Sequence, residues 1–351
     1  MKRILCFSVF VALLFTACKK DKNKEEVANP VDAKAAMENS LQNIKGCAQT
    51  LHDGELADFF MILIEEGNAD FDVDWVESLL EILEDQYFSD EFYENNEVNF
   101  SSYAGIYVWN PSSESFTKTT NSNMVQISLP TNPSNQSNLN LVGKIENYSE
   151  KTAIIDGESY KIPASLSASV TYNGTELAGI GLDELSLDNG SSTTLPVSLV
   201  ASFRTAPYTH FVALSRANSK KYTVNYSLEN SGACRFEVNL TGESNTDSYE
   251  DFDIEQNLVS VTGNILAGGL RYEFVVDPEG LFEDNLTAAD YNQALSVNIK
   301  QNGTKIGELN AVDRNDGVEV DIVYSDGSRE DFIVKSEQLL EDIEDIFSDF
   351  D

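Results

Sequence analysis

Few side chains in this 351-residue chain can act as nucleophiles, general bases or soft metal ligands. The sequence contains two histidines, His52 and His210, and four cysteines. A structural zinc site takes four nitrogen or sulfur ligands, and neither His-Glu-x-x-His nor Cys-x-x-Cys occurs. The chain also lacks Gly-x-Ser-x-Gly, Gly-x-Gly-x-x-Gly and a phosphate-binding Gly-Lys-Ser/Thr loop. We therefore nominate no catalytic residue and no metal ligand, and we expect no cofactor.

Carboxylates are abundant, and a pair of them in a cleft could act as general acid and base. With 59 acidic residues the sequence cannot nominate that pair, so a carboxylate-dependent hydrolase stays an alternative. Asp70, Asp72 and Asp74 have the spacing that begins a calcium loop. Trp75, however, stands where that loop calls for glycine. Asp74 is better explained as a helix N-cap, with Glu77 completing a capping box.

The first eighteen residues combine a basic start, an apolar run and a cysteine. A Lys-Arg pair precedes the apolar run of residues 4–15, which is shorter than the about 20 residues that cross a membrane. This pattern predicts a secretory signal peptide over residues 1–17. Residues 14–18, Leu-Phe-Thr-Ala-Cys, resemble the lipobox of bacterial lipoproteins, which implies cleavage before Cys18. An ordinary secretory signal followed by a coincidental cysteine is the alternative.

Cys18 is the residue that would carry a lipid anchor. In lipoproteins this cysteine bears a diacylglyceryl thioether and an N-acyl chain such as palmitate, and several chains together anchor a protein stably. Residues 18–33 are polar and carry both charge signs, so we expect a disordered tether. Lys19 rather than Asp follows the cysteine, which by the same resemblance disfavours retention in the inner membrane. We expect anchoring in a bacterial outer membrane, with the surface and periplasmic faces both open.

Cys47 and Cys234 are the two cysteines that lie outside the signal peptide and the lipobox. Outside the cytoplasm, two such thiols are candidates for a disulfide. The bond requires that their Cα atoms lie within about 7 Å of each other. A disulfide and two separate buried thiols are therefore both compatible with the sequence.

Three aromatic residues, Tyr103, Tyr107 and Trp109, have the same parity along one predicted strand. Side chains of equal parity point to the same face of a sheet. An exposed stripe of this kind could stack on sugar rings and bind a ligand. A buried stripe is the aromatic core of a sheet that lies under helices. We favour the core and keep the ligand-binding stripe as the alternative.

The charge of the chain excludes one class of partner. The sequence has 23 Lys and Arg against 59 Asp and Glu, which gives a net charge of −36 and an isoelectric point near 4.1. Binding to nucleic acid rests on basic side chains that neutralise phosphates, so we expect no nucleic-acid partner. Hydrophobic residues make up 41% of the chain, which is too many for a wholly disordered protein.

The periodicity of apolar residues predicts a helical segment over residues 34–92. From Met37 onward, apolar residues recur at steps of four and three and so form one stripe. A second predicted helix contains residues 59–64, which are apolar without a break. We expect that run to be deeply buried. A third helix is predicted to begin at Asp74.

Residues 93–334 change to short alternating runs separated by Asn, Gly, Ser and Pro. This texture is typical of an antiparallel β meander. Asn-Gly pairs at residues 173–174 and 302–303 suit the type I′ turns of β-hairpins. Because the two hairpins share their spacing, the body forms either one sheet or two related sheet units.

The end of the chain is predicted to return from strand to helix. A hairpin turning at residues 325–327 is expected to continue through Phe332 and Val334, and a last helix with an acidic tail follows over residues 335–351. Together these elements predict an α+β fold. In it, N-terminal helices pack on a large curved antiparallel β-sheet, a meander resembling a half-barrel, with a short C-terminal helix.

The order of these segments resembles uncharacterised outer-membrane lipoproteins of the Bacteroidota phylum. The resemblance rests on the lipobox, the charged tether, the helical segment and the β repeats that begin with Gly-Ile-Tyr-Val-Trp-Asn at residues 105–110. The resemblance implies a cellular localisation and no catalytic residues. We expect a non-enzymatic protein, held at the membrane by its lipid, whose β-rich body binds a partner protein or a glycan. By fold analogy with periplasmic lipoprotein carriers, a carrier of a hydrophobic ligand is an alternative.

Overall fold

The computed structural model of the protein describes twelve segments of the chain. They are residues 26–64, 70–88, 93–94, 97–98, 100–120, 122–188, 194–230, 234–246, 253–279, 281–282, 286–314 and 317–348. Within these segments the chain forms seven α-helices and 18 strands, which confirms the predicted α+β class.

Helices lie at both ends of the described part of the chain and interrupt the strands in between. They are α1 (Pro30–His52), α2 (Glu55–Ile64), α3 (Val73–Tyr87), α4 (Phe100–Tyr103), α5 (Ile254–Asn257), α6 (Ala288–Ala294) and α7 (Phe332–Ile346). Because α1 begins at Pro30, the tether predicted over residues 18–33 extends too far toward the body.

The strands follow one another closely along the chain. They are β1 (Tyr93–Glu94), β2 (Glu97–Val98), β3 (Gly105–Asn110), β4 (Ser115–Thr119), β5 (Val125–Leu129), β6 (Leu141–Ile155), β7 (Glu158–Tyr172), β8 (Thr175–Leu187), β9 (Pro196–Thr205), β10 (Tyr208–Asn218), β11 (Lys221–Glu229), β12 (Arg235–Ser244), β13 (Leu258–Ala267), β14 (Leu270–Val276), β15 (Leu295–Gln301), β16 (Thr304–Arg314), β17 (Gly317–Val323) and β18 (Arg329–Asp331). β1 and β2 pair only with each other, and the other 16 strands form one open sheet.

The large sheet is a meander in which consecutive strands from β5 to β18 are neighbours in space. Its order runs from β18 in reverse chain order to β5 and ends with β3 and β4. The pairing is mostly antiparallel, and β3 pairs with β5 in parallel. Antiparallel neighbours can be joined by short turns, which is why the sequence shows turn residues at such close intervals.

The chain separates into two compact units. The central unit contains residues 50–214, and the terminal unit contains residues 1–49 together with 215–349. The Asn-Gly turn at 173–174 belongs to the central unit and the one at 302–303 to the terminal unit. In both turns the Asn and the Gly have positive φ, from 49° to 87°, as a type I′ turn requires. The two predicted hairpins are confirmed.

Helices α2 and α3 cover the core of the central unit. Leu79 and Leu83 of α3 are buried against aromatic and aliphatic side chains from β3, β4, β5, β7 and β8. The buried members of this cluster are Phe71, Val76, Leu79, Leu83, Tyr103, Tyr107, Trp109, Phe116, Val125, Leu129, Tyr172 and Leu177. The burial of this many large apolar side chains is the main stabilising contribution to the unit.

In the terminal unit, α1 packs on the apolar face of β13 to β17. Ala33, Ala36 and Met37 of α1 are buried there with apolar side chains from all five strands. The hydroxyl of Tyr272 lies 3.9 Å from the sulfur of Met37. Burial raises the pKa of Tyr272 to about 12, against a smaller opposite effect from its hydrogen bond with Ser40.

Two helix starts differ from the predictions because a neighbouring acid takes the capping position. The carboxylate of Asp72 accepts a hydrogen bond from the backbone N–H of Trp75 at 2.9 Å, so Asp72 and not Asp74 caps α3. Asp331 likewise caps α7 by accepting from the N–H of Val334 at 3.0 Å. Phe332 and Val334 therefore begin the last helix instead of continuing a strand.

The apolar run of residues 59–64 lies on α2, but the expectation of deep burial is wrong. Phe59 packs on Phe71 and Tyr172, with ring centroids 5.4 Å apart in each pair. Phe60 and Met61 on the other side of the helix are 48% and 40% exposed. A helix at the edge of a core buries only the stripe that faces it, whatever the residues on its outer side.

Candidate functional site

The predicted lipidation site lies outside the described residues. The signal peptide of residues 1–17 and Cys18 both precede residue 26, so the anchor stays a prediction. In the segments that the structure describes, none of the helices is both long and apolar enough to traverse a bilayer. The chain enters the terminal unit through a parallel bridge between Val27 and Lys305.

The aromatic stripe is part of the core of the central unit. Tyr103, Tyr107 and Trp109 are 7%, 0% and 3% exposed. The alternative of an exposed ligand-binding stripe is therefore wrong, because no sugar ring can reach these faces. Tyr103 also ends α4 and does not lie on the strand that carries Tyr107 and Trp109.

Cys47 and Cys234 form a disulfide in the structure, with their Cα atoms 5.5 Å apart. Both residues belong to the terminal unit. The bond joins α1 to the residue that precedes β12, across 187 positions of sequence. Of the two alternatives open from the sequence, the structure contains the bonded one.

His210, the one histidine on a strand, is held by two neighbours in the central unit. Its ring stacks on Phe203, with centroids 3.9 Å apart, and its Nε2 lies 2.8 Å from the hydroxyl oxygen of Thr205. Burial lowers the pKa of His210 below its ordinary value. These contacts explain the histidine as a packed residue of the sheet.

A polar cavity of about 210 Å³ opens on the central unit and is lined mainly by asparagine amides. Its lining residues are Asp70, Asn132, Asn135, Asn138, Asn140, Tyr172 and Asn173. They come from three segments: the loop before α3, the loop between β5 and β6, and the turn after β7. The volume is below the roughly 300 to 1,000 Å³ of pockets for drug-sized ligands, so it suits a small group such as one sugar ring.

Asparagine shapes the loop between β5 and β6 as well as lining the cavity. The side chain of Asn132 accepts from the N–H of Ser134 at 2.7 Å and caps a single 3₁₀ turn at Pro133–Asn135. The N–H of Asn138 then donates to the carbonyl of Asn135 at 3.0 Å. Local side-chain and backbone bonds of this kind hold a loop without regular structure in one conformation.

Thr131 is fully buried and connects the three segments that line the cavity. Its hydroxyl donates to the carbonyl oxygen of Asp70 at 2.7 Å and accepts from the Nδ2 of Asn140 at 2.9 Å. The same Nδ2 lies 3.3 Å from the Oδ1 of Asn173, and the N–H of Asn173 donates to the carbonyl of Asn140 at 2.9 Å. This network fixes the amides in place before any ligand arrives.

Tyr172 provides the apolar part of the lining. Its ring packs against Phe59 and Phe71 with centroid distances of 5.4 and 5.7 Å, so the core of the unit holds it rigidly. A rigid aromatic side chain among amides gives a site both a hydrophobic contact and directed hydrogen bonds. Sites with these two kinds of contact bind small molecules that are polar at their edges.

The lining has one carboxylate, on Asp70, and no basic side chain. It therefore offers nothing to neutralise an anionic ligand, and Asp70 would repel one. An amide carries both donor and acceptor atoms, which matches hydroxyl groups, themselves both donors and acceptors. The Nδ2 of Asn140 is already used by Thr131 and Asn173, so the exposed amides of Asn135 and Asn138 are the ones that a ligand would contact. The lining contains no Ser, Cys or His. Among the described residues, no three His, Cys, Asp or Glu side chains converge as metal ligands.

Sequence reasoning did not find this cavity. The signal that could have indicated it is the density of asparagine, which fills four of the ten positions from 131 to 140. That density looks like ordinary loop composition until the partners from residues 70 and 173 are known.

Comparisons of the chain with protein families, curated proteins and solved structures gave no match. The class that fold and site define is thus an α+β protein with an open meander sheet and a polar, amide-lined cavity.

Proposed function

We propose that the protein is a non-enzymatic lipoprotein of a bacterial outer membrane whose central unit binds a neutral glycan in the amide-lined cavity. The observation that supports glycan binding is the lining itself, with five asparagines, one aromatic ring and no basic side chain. Protein partners are usually met by larger and more apolar surfaces, so the cavity favours a glycan over a protein. One ring of a longer chain of sugars would enter the cavity.

The point at which the chain joins the body limits how far a lipid on Cys18 could hold the terminal unit from the membrane. The N–H of Ala28 donates to the carbonyl of Lys305 at 2.9 Å, and the N–H of Lys305 donates to the carbonyl of Glu26 at 3.0 Å. Only eight peptide steps separate Cys18 from Glu26. A fully extended chain of that length spans at most about 28 Å. A lipid on Cys18 would hold the terminal unit within that distance of the bilayer surface.

We expect glycan binding to weaken when amides of the lining are removed. Asn135 and Asn138 are exposed on the loop, so replacing both with Ala leaves the core intact. Each lost hydrogen bond is worth about 1 kcal/mol, and two of them correspond to a roughly ten- to thirtyfold weaker affinity. A microarray of neutral and acidic glycans identifies the ligand for the unaltered full chain, and titration calorimetry then compares the variants.

The matched control is Asn123→Ala, which removes an exposed amide of the same unit outside the cavity. It should bind the same glycans as the unaltered chain with unchanged affinity. A second arm tests the charge: Asp70→Asn should increase retention of acidic glycans on the array. Glycan binding is refuted if the array retains no neutral glycan, or if Asn123→Ala and the double variant lose affinity equally.

Membrane attachment has its own test. In cells of a Gram-negative host, Cys18→Ala should move the protein from the membrane pellet to the soluble fraction, because it removes the atom that carries the lipid. Cys6→Ala is the control, since it changes a cysteine within the predicted signal peptide and should leave the protein in the pellet. A Cys18→Ala protein that still sediments with membranes would contradict the anchor and leave the glycan proposal untouched.

A further inference from the structure

Tyr172 is the one buried residue in the lining of the amide-lined cavity, with 8% of its surface exposed. Its hydroxyl makes no hydrogen bond to the rest of the described chain. Among the described residues, the sealed polar side-chain atoms without a partner belong to Trp75 and Ser328. The Tyr172 hydroxyl is therefore accessible. Because buried residues normally pair their polar atoms, a hydroxyl left open beside a cavity points to a ligand that pairs with it.

Two exposed asparagines of the loop between β5 and β6 keep part of their amides for a ligand. The Oδ1 of Asn135 accepts from the hydroxyl of Ser137 at 3.3 Å, which leaves the Nδ2 of Asn135 as a donor. The side-chain amide of Asn138 makes no hydrogen bond within the described segments, so it offers a donor and an acceptor. The backbone bond from Asn138 to Asn135 keeps the two amides within one turn of the loop.

An acetamido group on a sugar matches these open groups better than a sugar hydroxyl does. Its carbonyl oxygen can accept from the Tyr172 hydroxyl, and the methyl on the same carbon can lie against the ring of the same residue. A sugar hydroxyl in that place would make the hydrogen bond but leave the aromatic ring beside a polar atom. In a trans amide the N–H lies on the opposite edge from the carbonyl. It therefore needs a second partner, which the Oδ1 of Asn138 provides.

Charge in the cavity disfavours the two ionised relatives of an acetamido sugar. The carboxylate of Asp70 would repel a sugar that carries a carboxylate of its own. A free amino sugar carries an ammonium group, which has donors and no acceptor. That group would leave the Nδ2 of Asn135, itself a donor, facing another donor. The acetylated amine is neutral and has both kinds of atom, so it fits the lining without either conflict.

We propose that the sugar bound in the cavity is an N-acetylhexosamine, and that Tyr172 determines this specificity. The inference rests on the proposed glycan function and names the class of sugar that the same cavity selects. The acetamido carbonyl accepts from the Tyr172 hydroxyl, and the acetamido N–H donates to the Oδ1 of Asn138. The Nδ2 of Asn135 donates to a hydroxyl of the sugar ring.

The test uses two pairs of neutral ligands that differ only in the acetamido group. Chitotriose carries acetamido groups where cellotriose carries hydroxyls, and the methyl glycosides of N-acetylgalactosamine and galactose form the second pair. Titration calorimetry measures all four with the full chain carrying Cys18→Ser, which needs no detergent. We expect the acetylated member of at least one pair to bind about tenfold more tightly or better. A site that hydrogen-bonds one group discriminates against the analogue that lacks it.

Tyr172→Phe tests the role of the hydroxyl. It should weaken binding of the acetylated ligand about fivefold, as expected for one lost hydrogen bond, and weaken binding of the hydroxyl counterpart less. The ring and its packing on Phe59 and Phe71 stay, and the hydroxyl has no partner in the described chain, so the fold is retained. Tyr160→Phe is the matched control, because its hydroxyl bonds Glu158 away from the cavity.

The outcomes separate this inference from the glycan function on which it rests. The inference is overturned if neither acetylated ligand binds more tightly than its hydroxyl counterpart, or if Tyr172→Phe and Tyr160→Phe have the same effect. Tighter binding of the hydroxyl sugars would remove the N-acetylhexosamine and keep the glycan function. A glycan array that retains no neutral glycan would remove both.

Discussion

Replacing Cys47 and Cys234 together with Ala is expected to lower the free energy of unfolding by about 5 kcal/mol. The disulfide closes a loop of 187 residues, and the chain-entropy model gives about this value for a loop of that length. This loss would exceed the usual effect of a core substitution, because removal of the disulfide increases the conformational entropy of a large part of the unfolded chain. Urea unfolding followed by far-UV circular dichroism measures it, since that signal reports the loss of the helices and strands of the terminal unit.

The control for the disulfide is reduction of the unaltered chain under conditions that keep it folded. The reduced protein and the double Ala variant should have the same urea midpoint, which separates loss of the bond from loss of side-chain packing at buried Cys234. A thiol titration of the denatured Cys18→Ser protein without its signal peptide should find no reactive thiol. Two reactive thiols, or equal midpoints for the oxidised protein and the Ala variant, would contradict the role of the bond.

The parts of the fold that could be predicted from the sequence depend on short-range chemistry. Asn173 and Asn302 each precede a glycine, and a type I′ turn requires positive φ at both positions, which few other residue pairs allow. Such a turn fixes the register of its two strands without any information from the rest of the chain. A meander consists of hairpins that each depend on such a local turn, which is why the fold class could be predicted from the sequence.

The predictions are wrong where the sequence allows two local structures of nearly equal energy. Asp72 and Asp74 are both good N-caps, and only the tertiary contacts decide which one begins α3. One such contact is the hydrogen bond from the N–H of Asp72 to the carbonyl of Thr131 at 2.8 Å. Burial of residues 59–64 was overestimated for a similar reason. Composition gives the apolarity of a helix but does not give the number of its sides that meet a neighbour.

The cavity could not be predicted because its walls come from distant parts of the chain. Thr131 and the carbonyl of Asp70 that it binds are 61 residues apart, and Asn140 and Asn173 are 33 apart. No spacing rule connects them, since the intervening strands determine their distance.

The second large effect is expected at Tyr107, the most deeply buried member of the aromatic stripe. Replacing it with Ala should lower the free energy of unfolding by about 3 to 5 kcal/mol, because it leaves a cavity among Tyr87, Phe88 and Tyr103. The ring of Tyr107 lies 5.1 Å from that of Tyr87 and 5.4 Å from that of Phe88, and its hydroxyl donates to the carbonyl of Tyr103. Tyr107→Phe should cost only about 1 to 3 kcal/mol, since it removes the hydroxyl and leaves a carbonyl without that donor.

Tryptophan fluorescence during urea unfolding measures the stability of the central unit in these Tyr107 variants. Trp75 and Trp109 are the only tryptophans of the chain, and both belong to the central unit, with ring centroids 6.0 Å apart. The control is Phe211→Ala, which removes a large aromatic ring from an exposed position of the same unit and should shift the midpoint little. Equal, small shifts for Tyr107→Ala and Phe211→Ala would mean that the stripe is not core. The loss of unfolding free energy should be largest for Tyr107→Ala, smaller for Tyr107→Phe and smallest for Phe211→Ala. This order is expected if packing of the Tyr107 ring, more than its one hydrogen bond, holds α3 and α4 on the sheet.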